Sequence, residues 1–505
     1  MVGDGGSAAP PLVTTSIAAN AAPDVDTVTP GSAVAADVRQ VDCPDHLTDR
    51  GVACGIATVP RDRDDAQLGI AEISFVTMAG NGLVATPLAV LQGGPGGAST
   101  DLARWFPPQL FPQVFIDQRG TGFAAADFDC LEFDAALGAI IGAEATEAAA
   151  IAERSLSECA ARLAGDSLLD HTTTANHAND VEAVMAGLGY TQWIAYGVSY
   201  GSTIGFELLA ADRDGLTGVV LDGAYPPDLD IEAGYVFSAQ WSLDALTEAC
   251  SESAQCAGYN ANVGASVERL LERFESSPLT VTVDNADVVL DDVRLAEYVF
   301  LLSYSEQQMR YLPAVLTGIE ENDEPALRWF ARTARSTLIS AYGANDEGTY
   351  YAVTCHDRLP FVAELADGLS TYQAALVSSP LAERCPAWGQ GAMTATGGES
   401  VRSDLPVLLL SGQFDPITPS VFAEDAASGF SMATRVTQNG RGHGIWSGNE
   451  CIGRIVDAFV TDPGRDLDTT CAEFGVPVLW AQPRSHRRTL RHHSSSSMTG
   501  RTFMF

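Results

Sequence analysis

The sequence predicts an α/β fold: a mostly parallel sheet of eight strands, flanked by helices and interrupted by one long helical insertion. Three observations carry that expectation. Short apolar runs alternate with helical patterns over much of the chain. A small-residue pentapeptide around Ser199 lies where one such run meets a helical pattern. The strand rhythm stops after Asp222 and resumes only near residue 406.

The strand candidates fall at residues 56–60, 70–78, 88–91, 114–117, 193–196, 219–222, 407–411 and 434–437. Residues 70–78 alternate in polarity, and 407–411 form the continuous apolar run of a strand buried on both faces. Helical stretches such as 175–188 and 420–427 separate several of these runs, which argues for parallel strands with helical crossovers. The resulting division is a disordered linker at 1–38, a first core part at 39–223, a mainly helical insertion at 224–405, a C-terminal core part at 406–475 and a flexible basic tail at 476–505. Within that tail, the residues from Arg484 onward carry Arg, His and a Ser run but no acid.

Charge and cysteine content narrow the function classes. The chain has 65 acidic residues against 28 basic ones, all of them Arg, for a formal charge of −37. Such a surface repels nucleic acid and anionic membranes. It reads as a solubility or high-salt adaptation, or as an acidic vestibule for a cationic substrate group. Ten cysteines fall as sequence neighbours: Cys43 with Cys54, Cys130 with Cys159, Cys250 with Cys256, Cys355 with Cys385, and Cys451 with Cys471. With no C-x-x-C pair, disulfides in an oxidising, secreted or cell-envelope setting fit better than zinc or redox chemistry, while nested pairings stay open. No apolar run reaches 18 residues, so no membrane-spanning segment is expected. Residues 1–38 show neither the basic nor the apolar part of a signal peptide, so the cysteines speak for export without a visible exporter.

The chemistry concentrates in three places. Gly197-Val198-Ser199-Tyr200-Gly201 follows the strand-like residues 193–196 and precedes a helical stretch, the setting in which flanking glycines let a serine hydroxyl stand above a sheet edge. Asp415 follows the late strand at 407–411, and His443 lies in Gly442-His443-Gly444 after the strand at 434–437. A serine hydroxyl needs an imidazole to take its proton, and the imidazole needs a carboxylate to fix its tautomer, so Ser199, His443 and Asp415 form the candidate catalytic set. Upstream, Gln92-Gly93-Gly94-Pro95-Gly96-Gly97 can aim the Gly94 amide at a developing oxyanion, with the Tyr200 amide as second donor. That loop lacks the Lys-Ser/Thr ending of a phosphate-binding loop.

Competing readings attach to several residues. Asp222 ends the preceding strand and is the rival acid. His171 and His177 bracket a helix start and read as capping or surface groups. His356, between Cys355 and Asp357, hints at a metal, but its neighbouring cysteine fits a disulfide, and neither metal nor cofactor is expected. The acidic run from Glu320 to Glu324 reads as a solvated helix–helix turn.

These words resemble the secreted tripeptidyl-aminopeptidase branch of the α/β-hydrolase family that also includes prolyl aminopeptidases. The matching motifs are Gly93–Gly97, 117–122 (Asp-Gln-Arg-Gly-Thr-Gly), 196–201, Val220-Leu221-Asp222-Gly223 with Pro226-Pro227, 411–419 and 442–444, in that order over roughly 43–475. Gln92 stands where prolyl aminopeptidases usually carry His. The resemblance implies an α/β-hydrolase fold, a cap formed by residues 224–405, and a buried ion pair of Asp117 with Arg119 bracing the glycine loop. It also implies a serine exopeptidase acting on a peptide's free N-terminus, with cap carboxylates meeting the ammonium. Esterase or amidase action on a small molecule is the alternative, and a silent binding protein on the same fold the remote one. The sequence leaves oligomeric state open.

Overall fold

The computed structural model describes residues 35–482 apart from Leu83, Ala125, Val476 and parts of the 360–397 stretch. The expected linker up to residue 34 and the tail from 483 onward lie outside the described residues. Nine strands form one sheet in the order β1-β2-β3-β5-β4-β6-β7-β10-β11. They are β1 (Asp37–Val41), β2 (Val52–Pro60), β3 (Ile70–Met78), β4 (Leu88–Leu91), β5 (Gln113–Ile116), β6 (Trp193–Val198), β7 (Leu216–Asp222), β10 (Ser403–Gly412) and β11 (Phe430–Gln438), while β8 (Leu279–Val283) and β9 (Ala286–Leu290) form a separate hairpin. Strands β1, β2, β3 and β5 pair antiparallel, and the run from β5 through β4, β6, β7 and β10 to β11 is parallel.

The sheet therefore has nine strands rather than the eight expected. The added one, β1, is a largely exposed polar edge strand held by backbone pairing to β2, so it carries no apolar period to read. It starts inside the stretch assigned to the linker, and the Ala36 amide already donates to the Ala183 carbonyl at 2.9 Å. By contrast β4 and β6 are buried at every position, which is why their sequences are apolar throughout.

Parallel pairing brings the C-terminal ends of β6, β7, β10 and β11 to one sheet edge. Ser199 follows β6, Gly223 follows β7, Asp415 lies just past β10, and His443 just past β11. In open α/β sheets that edge is where ligands bind. β10 pairs directly with β7, Leu409 opposite Leu221, so the chain leaves the sheet after Asp222 and returns beside the same strand. The intervening segment is mainly helical, and it ends at Ser403, where β10 begins earlier than the residue 406 expected. It also contains the β8–β9 hairpin, closed by Asp284 and Asn285 at φ 52° and 61°. That turn is of the type two-residue hairpins favour, and the alternating Leu279-Thr280-Val281-Thr282-Val283 was its sequence signal. Glu320 ends one helix and Glu324 opens the next, so the acidic run is the solvated turn expected.

All ten cysteines pair with their sequence neighbours. Cys43 is bonded to Cys54, Cys130 to Cys159, Cys250 to Cys256, Cys355 to Cys385 and Cys451 to Cys471. The nested pairings that the sequence left open do not occur. None of the ten is a ligand or a nucleophile, so their role is to tie local loops together.

Trp480 is buried, its carbonyl accepts from Gln255 at 2.9 Å, and the Ala481 amide donates to the Arg310 carbonyl. The chain just past residue 476 thus packs on the insertion, contrary to the expected start of a flexible tail; the apolar run Val478-Leu479-Trp480 between prolines was too short to give a periodicity to read. Among the described residues no helix is long and apolar enough to cross a membrane. Cys451 and Cys471 are 20 residues apart and close the helix that follows the His443 loop. Replacing both by Ser should cost roughly 3 kcal/mol on the loop-closure argument. A urea titration reads this as a lower midpoint; an unchanged midpoint would contradict it.

Candidate active site

Strand β6 ends at Val198, and Ser199 turns the chain into the helix Tyr200–Ala210 at φ 58° and ψ −126°. A non-glycine residue in that region is strained by about 1–3 kcal/mol and persists only where its surroundings enforce it. The enforcement is steric. A side chain on Gly197 would collide with the Gly201 carbonyl, and one on Gly201 with the Leu91 carbonyl of β4. Hydrogen bonds complete it: the Ser199 amide donates to the Asp222 carbonyl at 3.0 Å, and the Ser202 hydroxyl donates to the Ser199 carbonyl at 2.5 Å. Ser202 Oγ also accepts from the Tyr225 amide at 2.8 Å, tying the turn to the start of the insertion.

Asp415 and His443 meet in the same corner. Asp415 Oδ2 accepts from His443 Nδ1 at 2.7 Å and from the Thr418 hydroxyl at 2.7 Å, and Oδ1 accepts from the Ile417 and Thr418 amides at 3.0 and 2.8 Å. Burial pushes this carboxyl up, but the His443 charge and these donors outweigh it, so Asp415 lies below the usual carboxylate range. The imidazole stands over the end of β7: a methyl group on Gly223 would lie 3.0 Å from His443 Cε1. The insertion supplies the other wall, since the His443 amide donates to the Tyr304 carbonyl at 2.9 Å and the two rings pack edge to face at 5.3 Å.

Asp222, the rival acid, serves elsewhere. Its carboxylate accepts from the Ile445 and Trp446 amides at 2.9 and 3.0 Å and from the Tyr196 hydroxyl at 2.9 Å, so it holds the loop that carries His443. Burial raises it above the ordinary carboxylate range, and those donors offset only part of the effect.

The glycine loop lies against Ser199. A methyl on Gly93 would sit 2.7 Å from Ser199 Cβ, and Gly94 takes φ 107°. Among the described residues neither the Gly94 nor the Tyr200 amide donates to a protein acceptor. For Tyr200 this follows from its place in the first turn of a helix, whose amides have no intrahelical partner and carry the positive end of the dipole. The loop is braced by Gln118, whose Oε1 accepts from the Gly96 amide at 2.9 Å while Nε2 donates to the Gly93 carbonyl at 2.9 Å. Sequence reasoning passed over this residue, although a neutral amide between Asp117 and Arg119 at the end of a buried strand was a signal.

Asp117 and Arg119 do not pair with each other, which corrects the expected ion pair. Each finds its own partners. Asp117 accepts from Ser74 Oγ at 2.6 Å and from the Thr100 amide and hydroxyl at 2.8 Å, and burial pushes it up to about 7. Arg119 uses all five of its donors: two on Asp180 at 2.6 and 3.0 Å, and three on the carbonyls of Arg61, His171 and Pro60. His177, expected as a capping or surface group, is buried among them. Its Nε2 accepts from the Arg119 amide at 3.3 Å, so the proton lies on Nδ1, which donates to the Tyr200 hydroxyl at 3.0 Å. Tyr200 bonds onward to Thr174 Oγ1 at 3.0 Å. His171 remains half-buried, and His356 lies beside the Cys355–Cys385 bridge.

Burial pushes His177 down to about 3 from an ordinary 6.5. Below pH 6.5 the unfolded chain takes up a proton that the folded chain refuses, so this residue's share of stability, complete above 6.5, is lost as pH falls toward 3. A His177→Gln variant should be less stable than wild type at pH 8 by about 1–3 kcal/mol. It should also lose less stability on acidification to pH 4.5, read as melting temperature against pH. Parallel curves for the two proteins would contradict this.

The family described as TAP-like protein matches residues 370–471, the part that holds Asp415 and His443. Serine protease Hip1 of Mycobacterium tuberculosis is 24% identical over 453 residues, covering 81% of this chain and 85% of its own. The tripeptidyl aminopeptidase of Streptomyces coelicolor is 24% identical over 487 residues and 88% of each chain. A probable proline iminopeptidase of the same organism is 30% identical over 138 residues, 27% of this chain and 32% of its own. The mostly parallel sheet, with a strained serine after β6 and an Asp–His pair at the same edge, is an α/β-hydrolase fold, and the chain is similar to the TAP-like family over residues 370–471 and to relatives named as serine protease, tripeptidyl aminopeptidase and proline iminopeptidase.

Proposed function

We propose that this protein is a serine exopeptidase that releases short peptides or single residues from free N-termini through an acyl-enzyme. The observation that carries the reading is the Asp415–His443 bond of 2.7 Å, held at the sheet edge where Ser199 is forced into its strained turn. With Nδ1 bonded to Asp415, Nε2 of His443 is the nitrogen that takes the Ser199 proton as the hydroxyl attacks the scissile carbonyl. The Gly94 and Tyr200 amides meet the oxyanion. His443 then returns the proton to the departing amine, and water hydrolyses the acyl-enzyme by the same route.

The exopeptidase part rests on the relatives named as tripeptidyl aminopeptidase and proline iminopeptidase, and on how the insertion meets the loop. The Asp346 amide donates to the Gly96 carbonyl at 2.9 Å, and Asn345 Oδ1 lies beside Gly94. These contacts bring an acidic residue of the insertion to the oxyanion loop, where a peptide's ammonium needs carboxylate partners to offset its desolvation. Five disulfides support work in an oxidising compartment outside the cytoplasm.

Ser199→Ala, His443→Ala and Asp415→Asn should each lower kcat by about 10³-fold or more with folding intact, and any two together should cost little beyond one. A severe Asp222→Asn beside a harmless Asp415→Asn would overturn the assignment of the acid. N-acetylating a good tripeptidyl or aminoacyl chromogenic substrate should cost at least about 2 kcal/mol, or roughly thirty-fold in kcat/KM, because the ammonium is lost. Equal cleavage of free and acetylated peptides would exclude an aminopeptidase and point to esterase or amidase action.

A further inference from the structure

A second set of carboxylates lies away from the Asp415–His443 pair. Asp129 and Asp134 flank the start of the helix Leu131–Ile141, and Glu347 opens the helix Glu347–Asp357 of the insertion. One oxygen from each of the three lies within 4.8 Å of the others. Repulsion and burial both oppose this gathering. Glu347 is only 4% exposed, and neither of its carboxylate oxygens has a hydrogen-bond partner. Asp134 Oδ1 is likewise buried without a partner. A nearby guanidinium, Arg162, is bonded to Glu132 at 2.7 Å and to the backbone carbonyl of Asp129 rather than to any of the three carboxylates. A buried carboxylate without a side-chain partner, gathered with two others, is a place for a cation.

We propose that Asp129, Asp134 and Glu347 bind one hard divalent cation, calcium in kind, that fastens the insertion to the sheet domain beside the glycine loop. An all-oxygen donor set selects hard ions. Calcium–oxygen distances of about 2.3–2.6 Å let one ion bridge oxygens up to about 5 Å apart, with water or backbone oxygens filling its remaining positions. Magnesium's shorter bonds and strict octahedron suit this spread less well. The joint is well placed to matter. The Gly348 amide donates to the Phe128 carbonyl at 3.0 Å, and the two residues before Glu347 are those that contact Gly94 and Gly96. The sequence carries no sign of such a site, because residues 134 and 347 are far apart in the chain and leave no ligand spacing to read.

Calorimetry and thermal unfolding of the full chain, first stripped with chelator, test this with calcium chloride against sodium chloride of equal ionic strength. The control is needed because a formal charge of −37 attracts cations without a site. One calcium per chain should bind with a dissociation constant of about 1 mM or tighter and raise the melting temperature. Glu347→Gln and Asp134→Asn should each weaken binding at least tenfold. Terbium offers a reading on the unmutated protein: Tyr351, one turn along the same helix from Glu347, should sensitise its emission, and calcium should quench it. No saturable binding at 10 mM calcium would overturn the proposal, as would an equal melting shift in Glu347→Gln. A Glu347→Gln variant that instead raised KM for free peptides, with no calcium effect in wild type, would also overturn it and assign the cluster to the substrate's ammonium.

Discussion

The site depends on one backbone turn that the surrounding chain will not let relax. Ser199 keeps φ at 58° because Gly197 and Gly201 touch backbone on either side and because its amide and carbonyl are both bonded. The same closeness that strains the residue packs β4, β6 and the following helix, so the apolar burial of the central sheet supplies the free energy that holds the turn. Gly93, braced by Gln118, lies so close to the turn that a methyl group on it would sit 2.7 Å from Ser199 Cβ.

Two further layers keep the partners in register. Beneath the turn, Arg119, Asp180 and His177 form a buried polar network ending on the Tyr200 hydroxyl, with every donor of the guanidinium satisfied. Burying that charge is tolerable because its bidentate partner is ionised; burial alone would raise Asp180, yet Arg119 and Arg63 bring it below its ordinary range. Above the turn, the His443 loop is held from three sides: Asp415 on the imidazole, Asp222 on the following amides, and Tyr304 of the insertion on the His443 amide. The insertion is therefore part of the framework of the site as well as a wall over it.

Much of this was legible in the chain because the signals were local. The glycines around Ser199, the apolar run before Asp415 and the glycine-flanked His443 each sit within a few residues of the element that positions them. Neighbouring cysteines such as Cys250 and Cys256 pair across short loops for the same reason. Side-chain identity alone did not tell Asp222 from Asp415: both end or follow buried strands, and only the fold shows which one faces an imidazole and which faces amides. Arg119 and Asp180, 61 residues apart, join elements whose approach no local pattern encodes. The polar edge strand β1 is held by backbone pairing at exposed positions, which leaves little hydrophobic period, while the alternating β8 of the β8–β9 hairpin carried a strand signal inside a segment dominated by helical periodicity.

The central claim is that Ser199 is a nucleophile activated by His443 and Asp415. The most direct measurement is labelling of the folded protein with a fluorophosphonate, followed by peptide mapping. The account predicts a single adduct on Ser199 that is abolished by Ser199→Ala and strongly slowed by His443→Ala. An adduct on another residue, or a folded wild-type protein that takes no label, would contradict it.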